Sequence, residues 1–232
     1  MFVVIEGPNG AGKTSLIKKI ESKGCKTLSS PNGTPLAKML RPACRGTEPW
    51  EDIDKTIQFM LFSAARFDEY IRLVHGKDGI VVADRWWTST YVYQCVLQGL
   101  SVNFLEYTVH PEEKIDLVIV LDGDDDVLLE RVNAERAVND SHGRCTWTKD
   151  DSIQRKLMSI YRKELVQYLK TKNIAVEVID TSTLSQDEVL EKAIALIEAK
   201  NNVIDKHIEV TGDSKEIPFD FKCQHVHETG GQ

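Results

Sequence analysis

The chain lacks several features that would have settled its class at once. No apolar run approaches the ~18–20 residues needed to cross a bilayer, so no membrane span is expected. There is no excess of basic charge: 29 Lys and Arg stand against 36 Asp and Glu, a formal net charge of −7. A nucleic-acid polymer is therefore not the expected partner, although a local basic pocket for phosphate remains possible. No Cys-x-x-Cys pair occurs, and the five cysteines (Cys25, Cys44, Cys95, Cys145, Cys223) are an odd number. That excludes a disulfide framework as the organising principle and fits free thiols in a reducing cytoplasm. Internal repeats and low-complexity blocks are absent. The first residues already read as a core strand, which leaves no room for a leader peptide.

What is present begins at residue 2. Phe2-Val3-Val4-Ile5 makes a short buried strand and runs directly into Gly7-Pro8-Asn9-Gly10-Ala11-Gly12-Lys13-Thr14. This is G-x-x-x-x-G-K-[ST] between a strand and a helix, the context in which the motif cradles phosphate. The glycines let backbone N–H groups approach phosphate oxygens, and the following helix offers free N–H groups and the positive end of its dipole. Gly7, Asn9, Gly10, Ala11, Gly12, Lys13, Thr14 and Ser15 are the expected ATP-binding residues. Lys13 reaches the terminal phosphates and the Thr14 hydroxyl can ligate Mg²⁺.

Strand and helix signals alternate along the rest of the chain, which predicts an α/β fold with a five-stranded parallel sheet and helices on both faces. Strands are expected at 25–28, 79–83, 117–121 and 174–179, and helices at 36–40, 51–75, 127–138, 150–172 and 186–200. In the 51–75 helix, Ile53, Ile57, Met60, Leu61, Ala64, Ile71 and Val74 form an apolar stripe, read as its core face. Residues 136–149 are polar and aperiodic and read as a lid loop on a kinase domain of residues 1–200. Residues 201–232 lack sustained periodicity and read as a C-terminal extension. Cys223, His225 and His227 lie there, with His207 upstream, but the spacings of closed zinc sites are missing.

A second pocket is written in three stretches. The first is the Pro31-Asn32-Gly33-Thr34 loop. The second holds Phe62 and Arg66, four apart on one helix face and away from the stripe. An aromatic and an arginine placed so suit base stacking and contact with a base or phosphate. The third, Asp84-Arg85-Trp86-Trp87-Thr88-Ser89-Thr90-Tyr91-Val92-Tyr93-Gln94, starts at the carboxyl end of a buried strand, where open α/β sheets bind ligands. Signatures of a GTPase switch are only loosely matched, at 140–143 and 148–151, and neither match follows an apolar strand.

Taken in order, GPNGAGKT, PNGT, LFSAAR, DRWWTSTYVYQ and KIDLVIVLDGDDDVLLERVNAER resemble the thymidylate kinase family over about residues 2–200. The resemblance implies a phosphate-loop NTPase fold and transfer of the γ-phosphoryl group of ATP to deoxythymidine monophosphate (dTMP), with Mg²⁺. It implies that Phe62 stacks on the pyrimidine and Arg66 bonds its edge. Arg85 would hold the acceptor phosphate and Asp84 would order the magnesium region, with Thr14 as the other metal ligand. Tyr93 would disfavour a 2′-hydroxyl, and Ser89, Thr90 and Gln94 would line the base and sugar. It further implies lid arginines, for which Arg136 and Arg144 are the candidates, and a homodimer. The lid and the Pro31 loop are expected to close on substrate.

The chain departs from the family at several points. Asn9 replaces the usual aspartate beside the acceptor sugar, and Trp86, Trp87, Thr90 and Val92 alter the third stretch. Ser29 or Ser30 stands where an arginine or phenylalanine usually precedes the proline loop, and Arg41 or Arg45 could compensate. These changes leave open a dUMP-preferring or broad deoxynucleoside monophosphate kinase. A deoxynucleoside kinase would need a carboxylate base after the second strand, where this chain has Ser29-Ser30-Pro31.

Overall fold

The computed structural model describes residues 1–47, 49–110, 112–138 and 150–211. Residues 139–149 of the lid, with Arg144 and Cys145, and the cluster Cys223, His225 and His227 lie outside the described residues.

Five parallel strands form one sheet in the order β2-β3-β1-β4-β5. They are β1 (Phe2–Glu6), β2 (Lys26–Ser29), β3 (Val81–Asp84), β4 (Leu117–Asp122) and β5 (Val176–Asp180). The two-residue period of a strand divides the core. From β1, Phe2 and Val4 enter a layer with Phe59, Trp86, Tyr161 and Leu165. Val3 and Ile5 enter the opposite layer with Leu16, Ile20, Leu190 and Ala193. Both faces of β1 and β4 are buried, which explains why these strands read as unbroken apolar runs. Each fully buried Ile or Leu contributes about 1.5–3 kcal/mol of transfer free energy.

The helices are α1 (Lys13–Ser22), α2 (Pro35–Cys44), α3 (Lys55–Glu69), α4 (Trp87–Thr90), α5 (Val102–Thr108), α6 (Asp125–Val138), α7 (Asp151–Ile160), α8 (Val166–Thr171) and α9 (Gln186–Thr211). Wider π-type turns extend α3 through Tyr70–Val74 and α4 through Tyr91–Leu97, and join α7 to α8 through Tyr161–Leu165. No helix among the described residues is long and apolar enough to cross a membrane.

Two expectations are corrected. The stripe on α3 is not its core face: Ile57 and Met60 are each 51% exposed and Ile71 is 42% exposed. The buried residues are Gln58, Phe59, Ser63, Ala65, Arg66 and Glu69. Apolar periodicity marks the side that seeks a partner, whereas the polar side of this helix is buried because it walls a cleft. Further on, α9 runs to Thr211, so the first part of the predicted extension continues the last helix.

The sheet places all its strand ends on one side. In register, Ile5 and Ser29 both lie opposite Asp84. The phosphate loop after β1, the proline loop after β2 and the Arg85 turn after β3 therefore meet at one rim, outside the carboxyl ends of the strands.

Candidate active site

Two clefts open along this rim. One, of about 530 Å³, is lined by Asn9 through Leu16 and by Asp84, Arg85, Arg131, Glu135 and Thr181, among others. Gly12 caps α1 in a left-handed conformation (φ 88°) and no side chain caps the helix. Its first N–H groups thus stay available to an anion. Gly7 does not line the cleft. It sits beneath it, where an added Cβ would come 2.3 Å from the Leu121 carbonyl oxygen.

Lys13 is 7% exposed, and its ammonium donates to the Pro8 carbonyl at 2.6 Å. Burial, and then the nearby Arg85 charge, lower its pKa to about 7, against the pull of Asp84, Glu6 and Glu135. The sign for binding follows. Below pH 7 the ammonium is already present, whereas above it the binding of a triphosphate draws a proton onto Lys13 from the solvent. At pH 8 ATP binding is expected to take up close to one proton, on the order of the charge change at a single site. Calorimetry in two buffers of different ionisation enthalpy measures it, and Lys13→Met should abolish the uptake.

The second cleft, of about 280 Å³, lies between α2, α3 and the α4 turn. Two rows spaced by four residues face it: Gln58, Phe62 and Arg66 on α3, and Thr90 on α4, Gln94 on its extension and Gln98 just past that extension's end. Arg41, Arg45, Arg66 and Arg85 line it, and no carboxylate does among the described residues. Arg66 is buried at 3% exposure and donates from Nη2 to the Thr108 carbonyl at 3.1 Å, while its Nε has no partner. Arg41 donates from Nη1 to the Pro31 carbonyl at 2.9 Å.

Asn9 and Arg85 line both clefts. Arg85 has φ 69°, a left-handed backbone that costs a non-glycine residue about 1–2 kcal/mol. The cost is offset beneath it. Glu6, fully buried at the end of β1, accepts from the Trp86 N–H at 3.3 Å, the Thr88 hydroxyl at 2.6 Å and the Ser89 hydroxyl at 2.8 Å. Its other oxygen lies 3.6 Å from Arg85 Nη1. Arg85 Nη1 also donates to the Tyr161 hydroxyl at 2.7 Å, Nη2 reaches Asn9 Oδ1 at 3.5 Å, and the guanidinium lies over the Tyr93 ring. Burial works to lower its pKa, but Tyr161, Tyr93, Glu6 and Asp84 hold it above its ordinary value. Arg85 is thus a permanent cation with a rigid mount. Asn9 donates to Gln154 of α7 at 3.2 Å, tying the phosphate loop to that helix.

Asp84 Oδ1 is buried without a partner and lines the first cleft beside Lys13 and Thr14. No group of three or more His, Cys, Asp or Glu among the described residues could hold a metal by itself. A cation here would depend on phosphate oxygens, as Mg²⁺ characteristically does. Thr14 and Asp84 fit that role.

Of the expected residues, Asn9, Phe62, Arg66, Arg85, Ser89, Thr90, Tyr93, Gln94 and Arg41 come together around the second cleft, and Asn9 through Ser15 with Asp84 around the first. Arg136 does not join either wall. It ion-pairs with Asp151 at 2.6 Å and bonds Asn133. Arg131 and Glu135, one helical turn apart, face the first cleft, and Arg136 is rotated off that row. Arg131 is held by donation to the Thr181 carbonyl at 2.8 Å. Sequence reasoning missed Glu6, Tyr161 and Gln154. A glutamate closing a buried strand was a signal for the first. Tyr161 and Gln154 sit in an amphipathic helix where nothing sets them apart.

The thymidylate kinase family model matches residues 5–194. A thymidylate kinase of Leuconostoc mesenteroides subsp. mesenteroides is 30% identical over 185 residues, covering 73% of this chain and 81% of its own. One of Pseudomonas fluorescens (strain SBW25) is 33% identical over 146 residues, 58% of this chain and 69% of its own. The crystal structure of thymidylate kinase from Ehrlichia chaffeensis superposes with a TM-score of 0.60 at 18% identity, over 85% of this chain and 98% of that one. That likeness carries the fold alone, while the family match spans both clefts. The chain belongs to the thymidylate kinase family.

Proposed function

We propose that this chain transfers the γ-phosphoryl group of ATP to dTMP, giving dTDP. One observation carries the reading. A phosphate-loop cleft and a cleft with four arginines and no carboxylate among its described lining residues share Asn9 and Arg85 as a common wall. The first suits a triphosphate, the second an anionic acceptor, and the shared wall is where their phosphates meet.

In this reading Arg85 holds the acceptor phosphate, with Tyr161 and Glu6 fixing its guanidinium. Phe62 stacks on the base, and Arg66 with Thr90, Gln94 and Ser89 reads its edge. Tyr93 packs against the sugar. Lys13 neutralises charge on the donor side. Thr14 and Asp84 would hold Mg²⁺, which supplies further neutralisation of the triphosphate when bound. An acceptor phosphate with a second pKa near ~6 is already ionised at neutral pH, so no general base is required. Alignment and electrostatics then do the catalytic work. A free nucleoside would need a carboxylate in the second cleft, and the absence of one among the described lining residues disfavours a nucleoside kinase. For the lid, Arg144 remains the family-based candidate, and Arg131 takes the place on the described wall that Arg136 does not.

The test is ADP release with ATP and Mg²⁺ against dTMP, dUMP, dCMP, UMP and thymidine. Preference for dTMP is expected, and activity confined to thymidine would overturn the acceptor assignment. A broad pyrimidine range is the second reading. The three glutamines on the cleft walls can serve as donor or acceptor, and one methyl group is worth only about 1–3 kcal/mol of discrimination.

The same reading includes a homodimer in the cytoplasm. Ile57, Met60, Ala64, Phe67 and Ile71 repeat at intervals of three and four along α3, the seam of two packed helices. Phe67 is 45% exposed, as open as its neighbours in that row. Introducing charge with Phe67→Glu and Ile71→Glu should raise the dimer dissociation constant by at least about 100-fold. Light scattering after size exclusion would read it, and an unchanged mass would remove this interface. Free thiols at Cys25, Cys44 and Cys95 suit a reducing compartment.

A further inference from the structure

Glu69 ends α3 and is fully buried. Its carboxylate accepts from three donors on the loop after β2. Oε2 takes the Ser30 hydroxyl at 2.5 Å, and Oε1 takes the N–H groups of Asn32 at 2.8 Å and Gly33 at 2.6 Å. Two further ties hold the same loop. Ser30 N–H donates to the Asp84 carbonyl at 3.2 Å, and Arg41 donates to the Pro31 carbonyl at 2.9 Å. Residues 30–33 are therefore fastened to β3, α3 and α2. A Cβ on Gly33 would lie 2.3 Å from Leu28 Cδ1, 2.8 Å from Leu73 Cδ1 and 3.1 Å from Glu69 Oε1, so a larger residue would require these side chains to shift.

The geometry carries a consequence for binding. Ser30 and Pro31 form one wall of the arginine-rich cleft, and Phe62 and Arg66 of α3 form another. Glu69 is the covalent continuation of the second wall and the hydrogen-bonded anchor of the first. Arg66 lies one turn before it, and Phe62 two turns. Burial pushes its pKa up while Ser30, Gly33, Asn32 and Arg41 oppose that.

We infer that Glu69 is a positioning residue: it fixes the spacing between the Pro31 and Phe62 walls before the acceptor arrives, and so sets acceptor affinity. The inference rests on the cleft being the acceptor site.

The test compares Glu69→Ala and Glu69→Gln in the full chain. Steady-state kinetics with ATP and dTMP are read together with hydrogen exchange at the Asn32 and Gly33 amides. Glu69→Ala should raise the dTMP KM by at least about tenfold, with the ATP KM within about twofold, and speed exchange of both amides by at least about tenfold. Glu69→Gln should recover most of the dTMP KM. Its amide oxygen can still accept both N–H groups, and its NH₂ can donate to the Ser30 hydroxyl oxygen. An unchanged dTMP KM in Glu69→Ala despite faster exchange would overturn the inference, as would amides that stay protected. Should Glu69→Ala not fold, Ser30→Ala removes one tie and should raise the dTMP KM by about threefold, and no change there would overturn it equally. A wild-type chain inactive on dTMP would sink the acceptor assignment instead. The same comparison would then be read with whichever monophosphate is turned over.

Discussion

Arg85→Ala is expected to lower kcat by about three orders of magnitude, the cost of removing a preorganised cation from a developing phosphoryl charge. The fold should survive. Glu6 keeps three donors in Trp86, Thr88 and Ser89, so its carboxylate stays hydrogen-bonded although it loses its ion-pair partner. A circular dichroism spectrum like that of wild type, with a melting temperature lowered by the loss of the Glu6 ion pair, would confirm that, and ADP release would report the loss. Lysine should not rescue activity, because one ammonium cannot meet Tyr161, Asn9 and a phosphate with the planar fork of a guanidinium. Turnover within about tenfold of wild type would show that the acceptor phosphate is held elsewhere.

Glu6→Ala should do the opposite damage. It leaves Arg85 without its carboxylate and orphans the buried Trp86 N–H and the Thr88 hydroxyl. Breaking a buried ion pair by removing one partner costs about 3–5 kcal/mol. For a chain of this size the melting temperature should fall by roughly 10 °C. Glu6→Gln keeps an acceptor for the Trp86 and Thr88 donors and should recover much of the stability. It should not restore full turnover, since the Arg85 turn is then held without charge. If both variants melt like the wild type, the left-handed turn at Arg85 does not depend on Glu6.

The fold was legible because its signals are local and repeated. Buried parallel strands such as Leu117–Asp122 read as apolar runs, and the phosphate loop carries its chemistry in eight consecutive residues. The cleft walls were legible from equally local signals: Phe62 and Arg66 share a helix face by spacing, and Arg85 follows the carboxyl end of a buried strand. What holds those walls was not. Glu69 meets Ser30 across 39 residues and Tyr161 meets Arg85 across 76, and such pairings leave no periodic trace. The face of α3 was misread because amphipathic reasoning assumes one apolar side turned inward. Here the inward side carries Arg66 and Glu69, whose burial is compensated by partners on other elements.

The wall shared by the two clefts fixes how the reaction must look from the phosphorus atom. In the proposed reading donor and acceptor lie on either side of Arg85 and Asn9, and neither residue offers a nucleophile that could take the group in between. The proposed transfer is then a single displacement. Both substrates must be present together before either product leaves, and a chirally labelled γ-phosphoryl group emerges with its configuration inverted. One molecule carrying adenosine and thymidine at the two ends of a polyphosphate chain should occupy both clefts at once.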